Sequence, residues 1–381
     1  MANDEIRDFR VEVAPAVLDD LRDRLARTRW TDQIPGSGWG YGTDGEYLRE
    51  LCETWRTTFD WSAQEARFNR WPHGLTEIDG QTVHFIHARS PEPDALPLVI
   101  THGWPGSVSE FLDIIDPLCN PRAHGGDPKD AFHVVCPSMP GYGWSGPTRD
   151  SGWDVRRIAE AWKVLMARLG YDRYGAQGGD WGSMVSSQIG TLDAEHCAGV
   201  HINMVLGAPP EAGPELSAEE QADLARMGEF MNNGTAYQQI QGKNPQTLGY
   251  GLNDSPAGLA GWIAEKFYAW TDHDGDLETA VTRDQILTNL TVYWVTGTIN
   301  SSVRLYCESQ RSGRFPPFDR VEVPVGCALF PKEILKMPRS WADNMYNVTR
   351  WTRFDRGGHF AALEEPDLLI DDVRAFFETV R

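Results

Sequence analysis

Three side chains and one loop, far apart in this 381-residue chain, could do chemistry together. The first side chain is Asp180, in Gly178-Gly179-Asp180-Trp181-Gly182. Small residues two places before and two after the centre allow a strand to turn sharply into a helix, and that turn pushes the central side chain out at the top of a sheet. The familiar elbow of this kind carries serine. An aspartate differs because an ordinary carboxyl, with a pKa of about 3.9, is ionised at neutral pH and needs no base to attack. Attack on carbon leaves an ester on the chain. By itself Gly-x-Asp-x-Gly is also a common surface turn in a glycine-rich sequence.

The other pieces give it weight. His102-Gly103-Trp104-Pro105-Gly106-Ser107 follows the apolar run Leu96 to Thr101, and a Gly/Pro loop after a buried strand puts backbone N–H groups at the sheet edge where sites form. One of them could serve an oxyanion. His102, between such residues, reads as a structural loop histidine bordering the pocket. Glu333 follows a late strand, Val323 to Phe330, and His359 in Arg356-Gly357-Gly358-His359-Phe360 precedes a closing helix. Each alone has an ordinary explanation, an exposed glutamate or a simple turn. Together they stand in the order nucleophile, acid, histidine that α/β-hydrolases use.

These residues need a scaffold. Residues 10 to about 75 read as helical, with Leu18, Leu21 and Leu25, then Leu48, Leu51, Cys52, Trp55 and Phe59, at helical spacing around a glycine-rich loop with buried aromatics at 34–42. From residue 76 the pattern turns to strands: a hairpin about Asp79-Gly80, then 96–101, 132–136, a weak candidate at 171–177 before the elbow, and 200–205. Asp154 is placed to cap a helix over 155–169. Between 208 and 318 strand signals fade and helices over 214–231, 257–270 and 285–302 are expected, a block that reads as a lid over the active edge. The expected organisation is α/β, with a mostly parallel sheet and helices on both faces: a helical N-terminal region (1–75), the core (76–207 and 319–381) and the lid (208–318).

Composition narrows the partners. A net charge of −20 repels phosphate backbones and anionic lipid, so neither nucleic acid nor a membrane surface is expected, and a neutral or apolar small molecule is easier to accept. The six cysteines are scattered without metal-binding spacing and read as reduced thiols, and the N-terminus shows no leader. A soluble cytoplasmic protein is expected, with no metal or cofactor; a homodimer is compatible with the sequence.

Taken together, His102 to Ser107, Gly178 to Ser183, Leu252 to Leu259, Tyr293 to Ile299, Phe330 to Ile334 and Arg356 to Ala362 resemble the epoxide hydrolases of the microsomal and juvenile-hormone type. The likeness runs over nearly the whole chain, and agreement in so many stretches is far more specific than any one motif. The resemblance implies an α/β-hydrolase fold and a reaction giving a vicinal diol through an ester on Asp180. It makes His359 the base that activates water, Glu333 the carboxylate that orients His359, and the N–H groups of Trp104 and Trp181 the oxyanion donors. Tyr237 and Tyr306 match the family's two tyrosines that hold and protonate the epoxide oxygen; Tyr250, Tyr268 and Tyr293 are assigned to packing. A phenol of pKa about 10 suits a developing alkoxide.

Trp104, Trp144 and Trp181, with His102, are the expected pocket walls, which point to a bulky or aromatic epoxide, as bacterial natural-product metabolism supplies. Two other functions share parts of the pattern. Haloalkane dehalogenases also use an aspartate elbow, but need N–H donors for a halide where an epoxide needs a proton, and the two tyrosines favour the epoxide. A catalytically silent binding protein of the same fold is opposed by intact Asp180, Glu333 and His359.

Overall fold

The computed structural model describes residues 4–313 and 319–381; the last five positions of the expected helical block lie outside them. Among the described residues nine strands form one sheet in the order β1-β2-β3-β5-β4-β6-β7-β8-β9. The first is β1 (Arg7–Phe9), followed by α1 (Pro15–Ala26), α2 (Gly45–Thr57), α3 (Trp61–Phe68), β2 (His73–Ile78), β3 (Gln81–Ala88) and β4 (Leu96–Thr101). Next come α4 (Ile115–Cys119), β5 (Phe132–Pro137), α5 (Val155–Arg168), β6 (Tyr174–Gly178), α6 (Trp181–Leu192) and β7 (Cys197–Ile202). A helical block then contributes α7 (Ala218–Glu229), α8 (Ala236–Lys243), α9 (Pro245–Asp254), α10 (Pro256–Trp270), α11 (Arg283–Thr296) and α12 (Ile299–Arg311). The chain ends with β8 (Val321–Leu329), α13 (Arg339–Met345), β9 (Tyr346–Arg353), α14 (Ala361–Glu364) and α15 (Pro366–Phe377).

β1, β2, β3 and β5 pair antiparallel, and β5, β4, β6, β7, β8 and β9 run parallel. The parallel strands carry apolar side chains on both faces, as a sheet covered on both sides requires. Val99 and Val135 point into one core with Ile158, Trp162 and Val185, while their neighbours Leu98, Ile100 and Val134 point into the other with Val373, Phe376 and Phe377.

Several sequence expectations need correction. The N-terminal region is not wholly helical: Arg7–Phe9 adds an edge strand, and β2 starts at His73. Its helices rest on the helical block as well as on the sheet, with Trp55 of α2 donating to Thr291 Oγ1 of α11 at 2.9 Å. The loop at 34–42 does not bury its aromatics. Trp39 is half-buried, stacked on Tyr268 of α10 at 3.9 Å, and Tyr41 is 82% exposed. The strand before the elbow starts at Tyr174 rather than Tyr171, and its poor propensity is overridden because Gly175 lets the Phe377 ring lie on the strand, where a Cβ would come within 2.3 Å. The expected helix over 285–302 is two helices, since Gly297 adopts a left-handed φ of 61° and ends α11. The helix expected from Pro214 starts at Ala218, behind the reciprocal Ser217–Glu220 capping box. Asp154 does cap α5, accepting from the Arg157 N–H.

β7, β9 and α15 meet at Asp372, which is 2% exposed. Its carboxylate accepts from His201 Nε2 at 3.0 Å, Arg350 Nε at 2.7 Å and the Thr352 hydroxyl at 2.6 Å. Burial pushes this carboxyl up, but the His201, Thr352 and Arg350 hydrogen bonds prevail and hold it down at about 2. A depressed folded-state value stabilises above the unfolded pKa and is lost as pH falls through about 2. Asp372→Asn keeps the shape but leaves the Arg350 guanidinium uncompensated, so a loss of about 3 kcal/mol is expected in urea unfolding at pH 7; an unchanged midpoint would contradict this account. No helix among the described residues is long and apolar enough to cross a membrane.

Candidate active site

The elbow is built by close approach. A Cβ on Gly178 would come within 2.2 Å of the Gly182 backbone, and one on Gly182 within 1.9 Å of the Thr101 carbonyl at the end of β4. Only glycine fits either place. Asp180, between β6 and α6, is forced to φ 50°, ψ −129°, a strained conformation for a side chain other than glycine. Its Oδ1 accepts the Trp104 N–H at 2.8 Å, and its Oδ2 lies 3.4 Å from His359 Nε2.

His359 is held from three directions. Its Nδ1 is 2.7 Å from Glu333 Oε1, which also accepts the Ile334 N–H at 2.7 Å. Its backbone N–H donates to the carbonyl of Trp270, the last residue of α10, at 2.9 Å, and the Trp270 ring lies against the imidazole at 5.0 Å. Gly358 permits this, because a Cβ there would come within 2.5 Å of the same carbonyl. Burial disfavours the imidazolium, yet Glu333 and Asp180 outweigh it and hold the His359 pKa well above its ordinary value. Asp180, His359 and Glu333 are thus one connected set, with Glu333 and His359 each 5% exposed.

Asp180 opens on its other side to a cavity of about 460 Å³ walled by Trp181, Met184, Met204 and Met231, with Tyr237 and Tyr306 beside the carboxylate. Tyr237 comes from α8 and Tyr306 from α12, their rings 5.8 Å apart and edge to face. The Trp104 ring stacks on Tyr237 at 5.4 Å and meets Tyr306 edge-on, and the Trp181 ring meets Tyr306 at 4.8 Å. Burial, and then for each the charge of Asp180 among the causes, pushes both phenols up, so they stay protonated. Trp181 opens α6, so its N–H has no partner within the helix.

The sequence-predicted walls divide. Trp181 lines the large cavity. Trp104 and His102 instead border a small chamber behind Asp180. His102 is a structural histidine: its Nδ1 lies 3.0 Å from the Gly103 carbonyl, its Nε2 accepts the Met139 N–H at 3.2 Å, and burial lowers it to about 4. Trp144 is not a pocket wall. The loop after β5 closes on itself, Gly141 N–H to the Gly146 carbonyl at 3.0 Å, and Ser145 accepts the His84 N–H of β3. That fold turns Trp144 against Phe68 and His84, at 5.0 and 5.2 Å. Of the tyrosines assigned to packing, Tyr293 donates to the Gly106 carbonyl at 2.8 Å and Tyr268 stacks on Trp39, but Tyr250 is 72% exposed and packs against little.

Two further residues at the site belong to no sequence motif. Lys266, in the apolar helix α10, is buried, paired with Glu265, and sits 4.4 Å above the Tyr237 ring. Glu110 borders the small chamber; its signal was an acid between Val108 and Phe111 directly after the donor loop.

Residues 6–111 match the family model described as the epoxide hydrolase N terminus, and 97–244 match that of the alpha/beta hydrolase fold. A Stigmatella aurantiaca protein provisionally named an epoxide hydrolase is 44% identical, covering 99% of this chain and 86% of its own. The chain belongs to the epoxide hydrolase family. Epoxide hydrolase 1 of Sus scrofa is 38% identical over 98% of this chain and 89% of its own. The Aspergillus niger epoxide hydrolase structure superposes with a TM-score of 0.89 at 35% identity, covering 100% of this chain and 98% of that one. The juvenile hormone epoxide hydrolase of the silkworm Bombyx mori superposes with a TM-score of 0.91 at 31% identity, covering 100% and 96%. The chain is therefore a hydrolase with the α/β-hydrolase fold.

Proposed function

We propose that this epoxide hydrolase opens its substrate by backside attack of Asp180 on an epoxide carbon, forming a hydroxyalkyl ester that water then cleaves to a vicinal diol. The observation that carries this reading is the placement of Asp180 between an imidazole at 3.4 Å and two phenols facing the large cavity. As the carbon–oxygen bond of the ring breaks, Tyr237 and Tyr306 hold the oxygen and supply its proton; positioning of this kind accounts for several kcal/mol of rate enhancement. The helices that carry them act as the lid, which keeps bulk water from the ring.

Forming the ester removes the negative charge beside His359. One of the causes that held its pKa up is then gone, so the imidazole sheds a proton when a base is needed, which balances the proton given by the phenols. His359 then takes a proton from water, Glu333 steadies the resulting imidazolium, and the N–H groups of Trp104 and Trp181 receive the oxyanion. The phenols also set this reading above halide displacement, since they offer the proton that an alkoxide needs.

Three methionines and a tryptophan in a cavity of about 460 Å³ suit a bulky or aromatic epoxide. A single turnover of styrene oxide in oxygen-18 water tests the mechanism. Unlabelled diol is expected in the first cycle, because the oxygen added to carbon comes from Asp180; label in that first diol would mean direct hydration and end the proposal.

A further inference from the structure

Asp180 stands between two spaces and, among the described residues, is the one that borders both. On one side are the apolar cavity and the phenols. On the other is a chamber of about 20 Å³ with a mixed lining, bordered by the apolar Phe111, Phe360 and Leu369 and by the polar Glu110, Gln177, Asn203 and His359. A single water needs roughly 10–15 Å³ of such space and two to four polar partners.

Two groups at the chamber have hydrogen-bonding capacity to spare. Gln177 of β6 is 2% exposed and spends its Nε2 on Asn203 Oδ1 at 3.1 Å, while its Oε1 meets no partner among the described residues. A buried acceptor left over in this way is a usual seat for ordered water. Glu110, in the turn after β4, presses its carboxyl on Gly106, where a Cβ would overlap Glu110 Oε1. Part of the residue reaches solvent, but the carboxyl is enclosed, and burial, with His359 opposing and Asp180 assisting, pushes it up to about 8. No step so far uses either residue.

We propose that the chamber is the site of the hydrolytic water, held between the Glu110 carboxyl and the Gln177 Oε1 beside His359. The proposal rests on the aspartyl ester reading and adds the place of the second substrate. The water oxygen bonds to Cγ of the Asp180 ester and one water proton passes to His359 Nε2. The bond from Cγ to the alkoxy oxygen then breaks, that oxygen takes the proton from His359, and the diol leaves. The carboxylic acid left at position 180 gives its proton to His359, which restores the resting ion pair. Epoxide and water thus approach one carboxyl group from separate compartments.

Rapid-quench mass spectrometry of styrene oxide turnover separates formation of the ester from its decay. In Glu110→Gln and in Gln177→Met, formation is expected within about twofold of the parent, while decay slows at least about tenfold and the ester accumulates. The two residues lie on different elements, so either variant decides the matter should the other not fold. Decay at the parent rate in the folded variants, or formation slowed as much as decay, overturns the proposal. His359→Gln is run alongside. An ester trapped there with normal decay in the chamber variants removes the water site alone; no ester in any variant removes the aspartyl mechanism and the chamber with it.

Discussion

Replacing His359 by glutamine is expected to leave the protein folded and able to open one equivalent of epoxide, after which turnover stops. Glutamine is the informative choice because its amide N–H can take over the hydrogen bond to Glu333 Oε1, now 2.7 Å from Nδ1. A buried carboxylate is then not stranded without a donor. What glutamine cannot do is take a proton from water, a role typically worth 10²–10⁴-fold in rate, so steady-state turnover falls by about 10³-fold or more. The ester should appear as a gain equal to the whole mass of the epoxide on the peptide carrying Asp180, since ring opening expels no leaving group. Acid is expected to imitate the substitution: as pH falls and His359 keeps its proton, decay of the ester should slow before its formation does, which pH-dependent rapid quench would show. Normal turnover in the variant would show that His359 is not the base.

Tyr306→Phe is expected to act on the opposite half of the reaction. The change removes one hydroxyl and leaves the ring, whose contacts with Trp181 at 4.8 Å and Trp104 at 5.8 Å fix its place, so the thermal midpoint should barely move. Ester formation loses one of its two proton sources and should slow about 10²-fold, within the usual range for general acid catalysis. The remaining rate is carried by Tyr237, which comes from a different helix and keeps its own stacking on Trp104. Decay of the ester should be unchanged, because that step uses the far side of Asp180. Single-turnover formation near the parent rate would reassign the acid.

These two effects fall on residues that were legible to different degrees. Asp180 and His359 could be found because the backbone around each needs glycine for a close approach, and that need is written locally, in Gly178, Gly182 and Gly358. Glu333 and the tyrosines carry no such flank; order along the chain pointed to the first and family resemblance to the others. Gln177 and Lys266 carry no local mark at all, and the mark of Glu110, an acid between Val108 and Phe111, does not say what the acid faces. A glutamate in a turn looks alike whether it faces water or a closed chamber, and only the neighbours brought by β6, α6 and the loop of His359 make it the latter. Trp144 shows the converse. Its type suited a pocket wall, but the hydrogen bonds of its loop to β3 turned the ring away.

By itself the sequence determined the alternation of strand and helix, the carboxylate elbow and the order of the triad, because apolar periodicity and glycine at tight turns are local properties of a chain. Which side of Asp180 meets the phenols and which meets His359, how much room each side offers, and which buried polar atoms remain without partners were decided only by the tertiary structure. The physical reason is that a cavity belongs to no single segment. It is the space left where elements distant in sequence stop short of one another, and its polarity depends on side chains whose direction is set by packing.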